Sequence, residues 1–102
     1  MNDILIFKID IGDELSMLNC RNIHTELLEK ASHCEKIIID MSDIKYIDSS
    51  GINVLLSLTK IKPNNIGVFG LNEQPREILN VTGIFKRINV FDTKEEALNA
   101  FK

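Results

Sequence analysis

The tightest constraint on the fold is a short apolar run, Ile37-Ile38-Ile39, opened by Lys36 and closed by Asp40. It reads as a buried strand. Ile66-Gly67-Val68-Phe69-Gly70 reads as a second one. Segments of helical period separate and follow these runs. Strands alternating with helices predict an α/β domain with a largely parallel sheet and short right-handed crossovers.

The rest of the chain fits that alternation. Leu5, Phe7, Ile9 and Ile11 alternate with other residues, which suits an edge or half-buried strand over Ile4 to Ile11. Gly12-Asp13 ends it, and Glu14 to Met17 reads as a short second strand. Asn19 is the predicted cap of a helix reaching about Ser32, with Cys20, Ile23, Leu27 and Ala31 as its buried stripe. Met41 to Ile47 reads as a connection, and Ile52 to Ile61 as a helix stopped by Pro63-Asn64-Asn65. Asn72-Glu73-Gln74-Pro75 opens another helix, with Ile78, Leu79 and Val81 apolar and Gly83 as C-cap. Ile88 to Phe91 is a short strand. Asp92 or Thr93 then caps a last helix, whose Ala97, Leu98 and Phe101 pack inward.

Composition narrows the function classes. With 102 residues, 44% of them hydrophobic, the chain is expected to form one domain over residues 1–102. The net charge is −3 and there is no long basic run, which argues against direct nucleic-acid binding. No apolar run approaches the ~20 residues of a spanning helix, so membrane insertion is not expected. Met1-Asn2-Asp3 lacks the basic start of a signal peptide. A cytoplasmic location is expected, with Cys20 and Cys34 as reduced thiols.

One motif stands out for its chemistry. Asp48-Ser49-Ser50-Gly51 follows the strand and its connection and opens a helix. Helix capping accounts easily for one such residue, less easily for three in a row closed by Gly. A helix N-terminus offers free N–H groups and positive dipole character, so a phosphoserine is the functional alternative. In the following helix Asn53, Ser57 and Lys60 share one polar sector. The apolar residues cover an arc wider than one sheet face needs. Either the helix is wedged among neighbours, or Val54, Leu58 and Ile61 form an exposed docking margin beside the serines.

Other chemistries are weaker. A nucleophilic serine needs a base, and both histidines, His24 and His33, fall on the first helix or its end. No Gly-x-Ser-x-Gly elbow is present. Asp40, Asp43 and Asp48 surround the strand end, as in a Mg²⁺-dependent receiver using Asp40. Asp10 and Asp13 only loosely supply the receiver's acidic pair, and no lysine closes either later strand. Cys20, His24 and Cys34 lack metal-site spacing. No metal and no cofactor is expected.

From Ile37 through Asp48-Ser49-Ser50-Gly51 to Leu55 the chain resembles the STAS family, and within it the single-domain bacterial anti-sigma factor antagonists. The tail from Leu79 to Leu98 is similar to that family's closing helix, strand and helix. The resemblance implies a four- or five-stranded mixed, mostly parallel sheet packed with about four helices. It also implies partner switching rather than enzyme activity. The unphosphorylated protein would bind an anti-sigma factor that is also a GHKL-type serine kinase, and so release the sigma factor. Phosphorylation would block binding, and a PP2C-type phosphatase would restore it. Carried over, the acceptor is Ser49, with Ser50 as second choice. Asp48 shapes the acceptor loop, and Gly51 permits close approach of the partner. The partner surface comprises Asp48, Ser49, Ser50, Gly51, Ile52, Asn53, Val54 and Leu58. A monomer or weak dimer is expected. The alternative is a STAS subunit of a larger assembly, either a stress-signalling scaffold or a lipid or anion transporter. Two departures mark the chain. Asn53 stands where the family usually has a second Gly, and Gly12-Asp13-Glu14-Leu15-Ser16 fits the family's second strand with one extra residue and Ser for Asp.

Overall fold

A computed structural model describes residues 3–101; Met1, Asn2 and Lys102 lie outside it, and with them most of the segment read for a signal peptide. The elements run β1 (Ile4–Lys8), β2 (Glu14–Leu15), α1 (Cys20–Ala31), β3 (Lys36–Asp40), β4 (Tyr46–Ile47) and α2 (Ser49–Ile61). They continue through β5 (Ile66–Phe69), α3 (Glu73–Thr82), a 3-10 turn (Ile84–Lys86), β6 (Asn89–Phe91) and α4 (Lys94–Phe101). Four strands form one sheet in the order β1-β3-β5-β6, and each of its pairings is parallel. Both predicted buried strands lie at its centre, where neighbours on either side satisfy their backbone groups.

Side-chain alternation divides the core between the two faces of the sheet. Phe7, Ile37, Ile39, Ile66 and Val68 join residues of α1, α2 and α3 in one large buried cluster. Ile38 and Phe69 turn to the other face and pack against Ala97 and Phe101 of α4. A small residue is needed under α4. A Cβ on Gly67 would stand 3.0 Å from the Phe91 ring and 3.2 Å from that of Phe101. Those two rings meet edge to face with centroids 6.0 Å apart. β1 is an edge strand with Phe7 buried and Lys8 exposed, as its partial alternation predicts.

The ends of α3 and α4 follow local chemistry. Gly83 closes α3 with φ 77°, the left-handed conformation that a glycine adopts without a Cβ penalty. Thr93 Oγ1 accepts from the Glu96 N–H at the start of α4.

Two asparagines predicted to open helices do something else. Asn19 lies at the cap position of α1 but makes no side-chain cap. Its Oδ1 accepts from Ser16 N–H at 3.0 Å and its Nδ2 donates to the Glu14 carbonyl at 2.9 Å. Asn72 donates instead to the Ser42 and Ile44 carbonyls, at 3.0 and 2.8 Å. Each amide donates to carbonyls outside its own helix, in β2 for Asn19 and in the loop before β4 for Asn72, a need invisible to local helix rules.

Met41 to Ile47 is more than a connection. Its last two residues form β4, paired in parallel with β2 through Glu14↔Tyr46 and Leu15↔Ile47. This two-stranded ladder lies at the N-terminal end of α2 and sets the geometry of the motif.

Candidate functional site at the start of helix α2

The serines belong to the helix itself. α2 begins at Ser49, and Asp48 is the N-cap. Asp48 holds extended backbone and accepts from the Gly51 N–H at 3.0 Å through Oδ1. Its other oxygen, Oδ2, accepts from the Met17 N–H at 3.0 Å, thirty-one residues away in sequence. One carboxylate therefore caps α2 and ties the β2–α1 turn to it. The Gly51 and Met17 N–H groups, in that order, hold the Asp48 carboxyl below the ordinary aspartate value. Asp48 thus stays ionised beside the serines at neutral pH.

Gly51 has an internal task. A Cβ there would stand 2.5 Å from the Leu15 carbonyl oxygen and 2.6 Å from Ile47 Cγ1. The first turn of α2 presses against β2 and β4, with the Asp48 N–H donating to that same Leu15 oxygen at 3.3 Å. Gly51 is buried. The chain's own ladder thus makes a close approach at Gly51.

The two serines face different surroundings. Ser49 is exposed and lines an open depression of about 380 Å³ with Tyr46, Ile52, Asn53, Gln74, Ile78 and Thr82. Ser50 is half-buried and lines another, about 280 Å³, with Cys20, Arg21, His24, Asn53 and Val54. No side-chain hydrogen bond among the described residues engages either hydroxyl. Asn53, the family's second-glycine position, is exposed and lines both depressions. Its side chain stands on the ridge that separates the serines.

The proposed apolar margin of α2 is corrected. Val54 is 3% and Leu58 0% exposed, both within the large core cluster that includes Ile23 and Leu27 of α1; Ile61 alone of the three remains half-exposed. Ile52 is also buried, though it forms part of the depression floor. The wide apolar arc belongs to a helix wedged between the sheet, α1 and the β4–α3 side. Apolar exposure near the motif comes from elsewhere. Met17 is 72%, Leu18 84% and Tyr46 49% exposed. Met17 is tied to Asp48 by its N–H. Sequence periodicity does not reveal these residues, since all three lie in short or irregular segments.

Gln74 was also missed. Its Oε1 accepts from the Ile47 N–H at 2.9 Å and its Nε2 donates to the Ile47 carbonyl at 3.0 Å. A side-chain amide thus completes the hydrogen bonding of β4 on its free edge, as a third strand would. A glutamine in the first turn of a helix carries no signal that it serves a strand 27 residues earlier.

The alternative chemistries gain little. Asp40 accepts from the Ser42 N–H at 2.9 Å, Asp43 pairs with Lys8 at 3.3 Å, and Asp48 caps α2. No three His, Cys, Asp or Glu side chains among the described residues are grouped to hold a metal ion. His24 does meet a serine, but it is Ser57, with Nε2 2.7 Å from Oγ. The Ser57 hydroxyl also lies 2.8 Å from the Val54 carbonyl. The contact with His24 joins α1 to α2. No helix among the described residues is long and apolar enough to cross a membrane.

Comparison with known proteins agrees with this architecture. The STAS domain family model matches residues 2–97. An anti-sigma F factor antagonist of Paenibacillus polymyxa is 29% identical over 68 residues, which is 64% of this chain and 58% of that protein. An anti-sigma factor antagonist from Mycobacterium paratuberculosis superposes with a TM-score of 0.86 at 18% identity, covering 99% of this chain and 87% of that one. The anti-sigma factor antagonist SpoIIAA in its unphosphorylated form gives a TM-score of 0.76 at 16% identity, covering 98% and 89%. The parallel sheet, the capped motif at the start of α2 and the family match along nearly the whole chain lead to one assignment: this chain belongs to the STAS domain family.

Proposed function

We propose that the chain is an anti-sigma factor antagonist that works by partner switching, with Ser49 as its phosphoacceptor. The unphosphorylated form binds an anti-sigma factor that is also a GHKL-type serine kinase. Phosphorylation ends that binding, and a PP2C-type phosphatase reverses it. The observation that carries this reading is the free hydroxyl of exposed Ser49, one residue after an amide-locked, ionised Asp48.

The surroundings of Ser49 favour release over internal rearrangement. A phosphate adds about 1.5 to 2 negative charges. No lysine or arginine lines the Ser49 depression, and its other charged residue is Asp48. Within that depression the new charge would find only the helix N-terminus to offset it. It would face outward, toward Tyr46 and any partner seated there, where desolvation and like charge oppose docking. The partner surface in this reading is Ser49, Ser50 and Asn53 with Met17, Leu18 and Tyr46; Gly51, Val54 and Leu58 act beneath it.

The test is incubation with ATP and a cognate GHKL-type kinase, followed by phosphosite mapping by mass spectrometry. Ser49 should carry the phosphate and Ser49→Ala should abolish it. Phosphate on neither Ser49 nor Ser50 would rule the switch out.

A further inference from the structure

Three depressions lie end to end beside α2. The first is the Ser49 depression. The second, about 530 Å³, lies between α2 and the turn after α3 and shares Ile52 and Thr82 with the first. The third, about 200 Å³, shares Lys86 and Arg87 with the second and adds Lys60. Together they form one track along the 13 residues of α2, about 20 Å at the usual helical rise.

Charge changes sign along this track. At the Ser49 end the charged group is Asp48, among apolar Tyr46, Ile52 and Ile78. The middle holds Leu56. At the far end stand Lys60, Lys86 and Arg87, and no carboxylate lines the second or third depression. None of these three cations has an ion-pair partner among the described residues. Lys8, Lys30 and Arg76 each pair with a carboxylate elsewhere, whereas this end gathers three cations without such a partner into two adjoining depressions.

We propose that this track receives one segment of a protein partner, with apolar anchors over Ile52 and Leu56 and carboxylates over Lys60, Lys86 and Arg87. Charge complementarity and length select an acidic amphipathic segment laid along α2. A nucleic acid fits less well, since the apolar end and Asp48 offer its phosphates nothing. That the segment belongs to the anti-sigma factor rests on the function proposed above; the chemistry of the track does not.

The test titrates ¹⁵N-labelled protein with an amphipathic peptide bearing Leu on one face and Glu on the other. A counterpart with Lys for Glu and a single-stranded DNA oligonucleotide serve as competitors. The Glu peptide should shift the amides of Leu56, Lys86 and Arg87 and leave α4 unmoved. Binding should weaken with salt, and Lys86→Glu/Arg87→Glu should weaken it about tenfold and reverse the preference toward the Lys peptide. Lys60→Glu, on the opposite wall, should give a smaller loss and provides the same readout if the double variant does not fold. Absence of shifts along the track, equal binding of the two peptides, or tighter binding of DNA would overturn the proposal. Phosphate mapping at Ser49 is a separate measurement, so failure of the track and failure of the switch are told apart.

Discussion

Gly51→Ala isolates the contact on which the motif is built. The added methyl would stand 2.5 Å from the Leu15 oxygen and 2.6 Å from Ile47 Cγ1. Ordinary carbon contacts lie near 3.5 to 4.0 Å, so the overlap is about 1 Å. The Ile47 side chain can yield in part. The Leu15 oxygen cannot easily yield, because it belongs to the β2–β4 ladder and accepts from the Asp48 N–H. Overpacking of this kind costs about 1–3 kcal/mol, and a clash with backbone belongs near the upper end. Alanine regains at most about 1 kcal/mol of helix propensity over glycine. The expected net loss is about 2 kcal/mol. That moves the melting temperature of a domain this size down by roughly 8–16 °C, and the urea midpoint down by about 1 M. Both are read by circular dichroism, with an unchanged m-value as the sign of a native-state effect. Unchanged or higher stability would refute the reasoning, because it would mean that α2 does not press on the ladder. If stability held while partner binding alone fell, Gly51 would serve the partner after all.

Three further outcomes follow from the same geometry. Gln74→Ala should cost about 1–3 kcal/mol, since it leaves the Ile47 N–H and carbonyl without their partner, and the Ile47 amide should exchange markedly faster with solvent. Asp48→Asn should flatten the acid limb of stability. The folded carboxyl is depressed, so its contribution is present above the unfolded value near 4 and is lost as pH falls through the folded one; urea midpoints between about pH 5 and pH 2 should therefore converge for the two proteins. Ser57→Ala removes the 2.7 Å bond to His24 between α1 and α2 and should cost about 0.5–1.5 kcal/mol by urea unfolding, with the Ser49 phosphorylation rate unchanged.

Much of the fold was legible because its signals are local. Ile37 to Ile39 and Ile66 to Phe69 are long enough to declare central strands, and Gly83 and Thr93 end and begin helices through their own backbone and hydroxyl. The site was legible at Asp48, whose capping role depends on Gly51 three residues on. Periodicity failed on α2 for a different reason. An apolar stripe says that a face is covered, not which neighbour covers it, and Val54 and Leu58 lie within the large core cluster. Met17 and Leu18 show the converse, since apolar residues in a turn carry no pattern that marks them as exposed.

Sequence by itself determined an alternating α/β chain and a serine pair behind a capping aspartate, because strand burial, helix starts and caps are written within a few residues. Tertiary structure decided what surrounds the serines. The β2–β4 ladder is only two residues deep on each strand, too short to show a period, and it closes through Gln74 and Asp48 across about thirty residues of chain. Those closures make Gly51 a packing requirement, and the two serines face different surroundings. Each depends on which segments meet in space, and no local pattern records that.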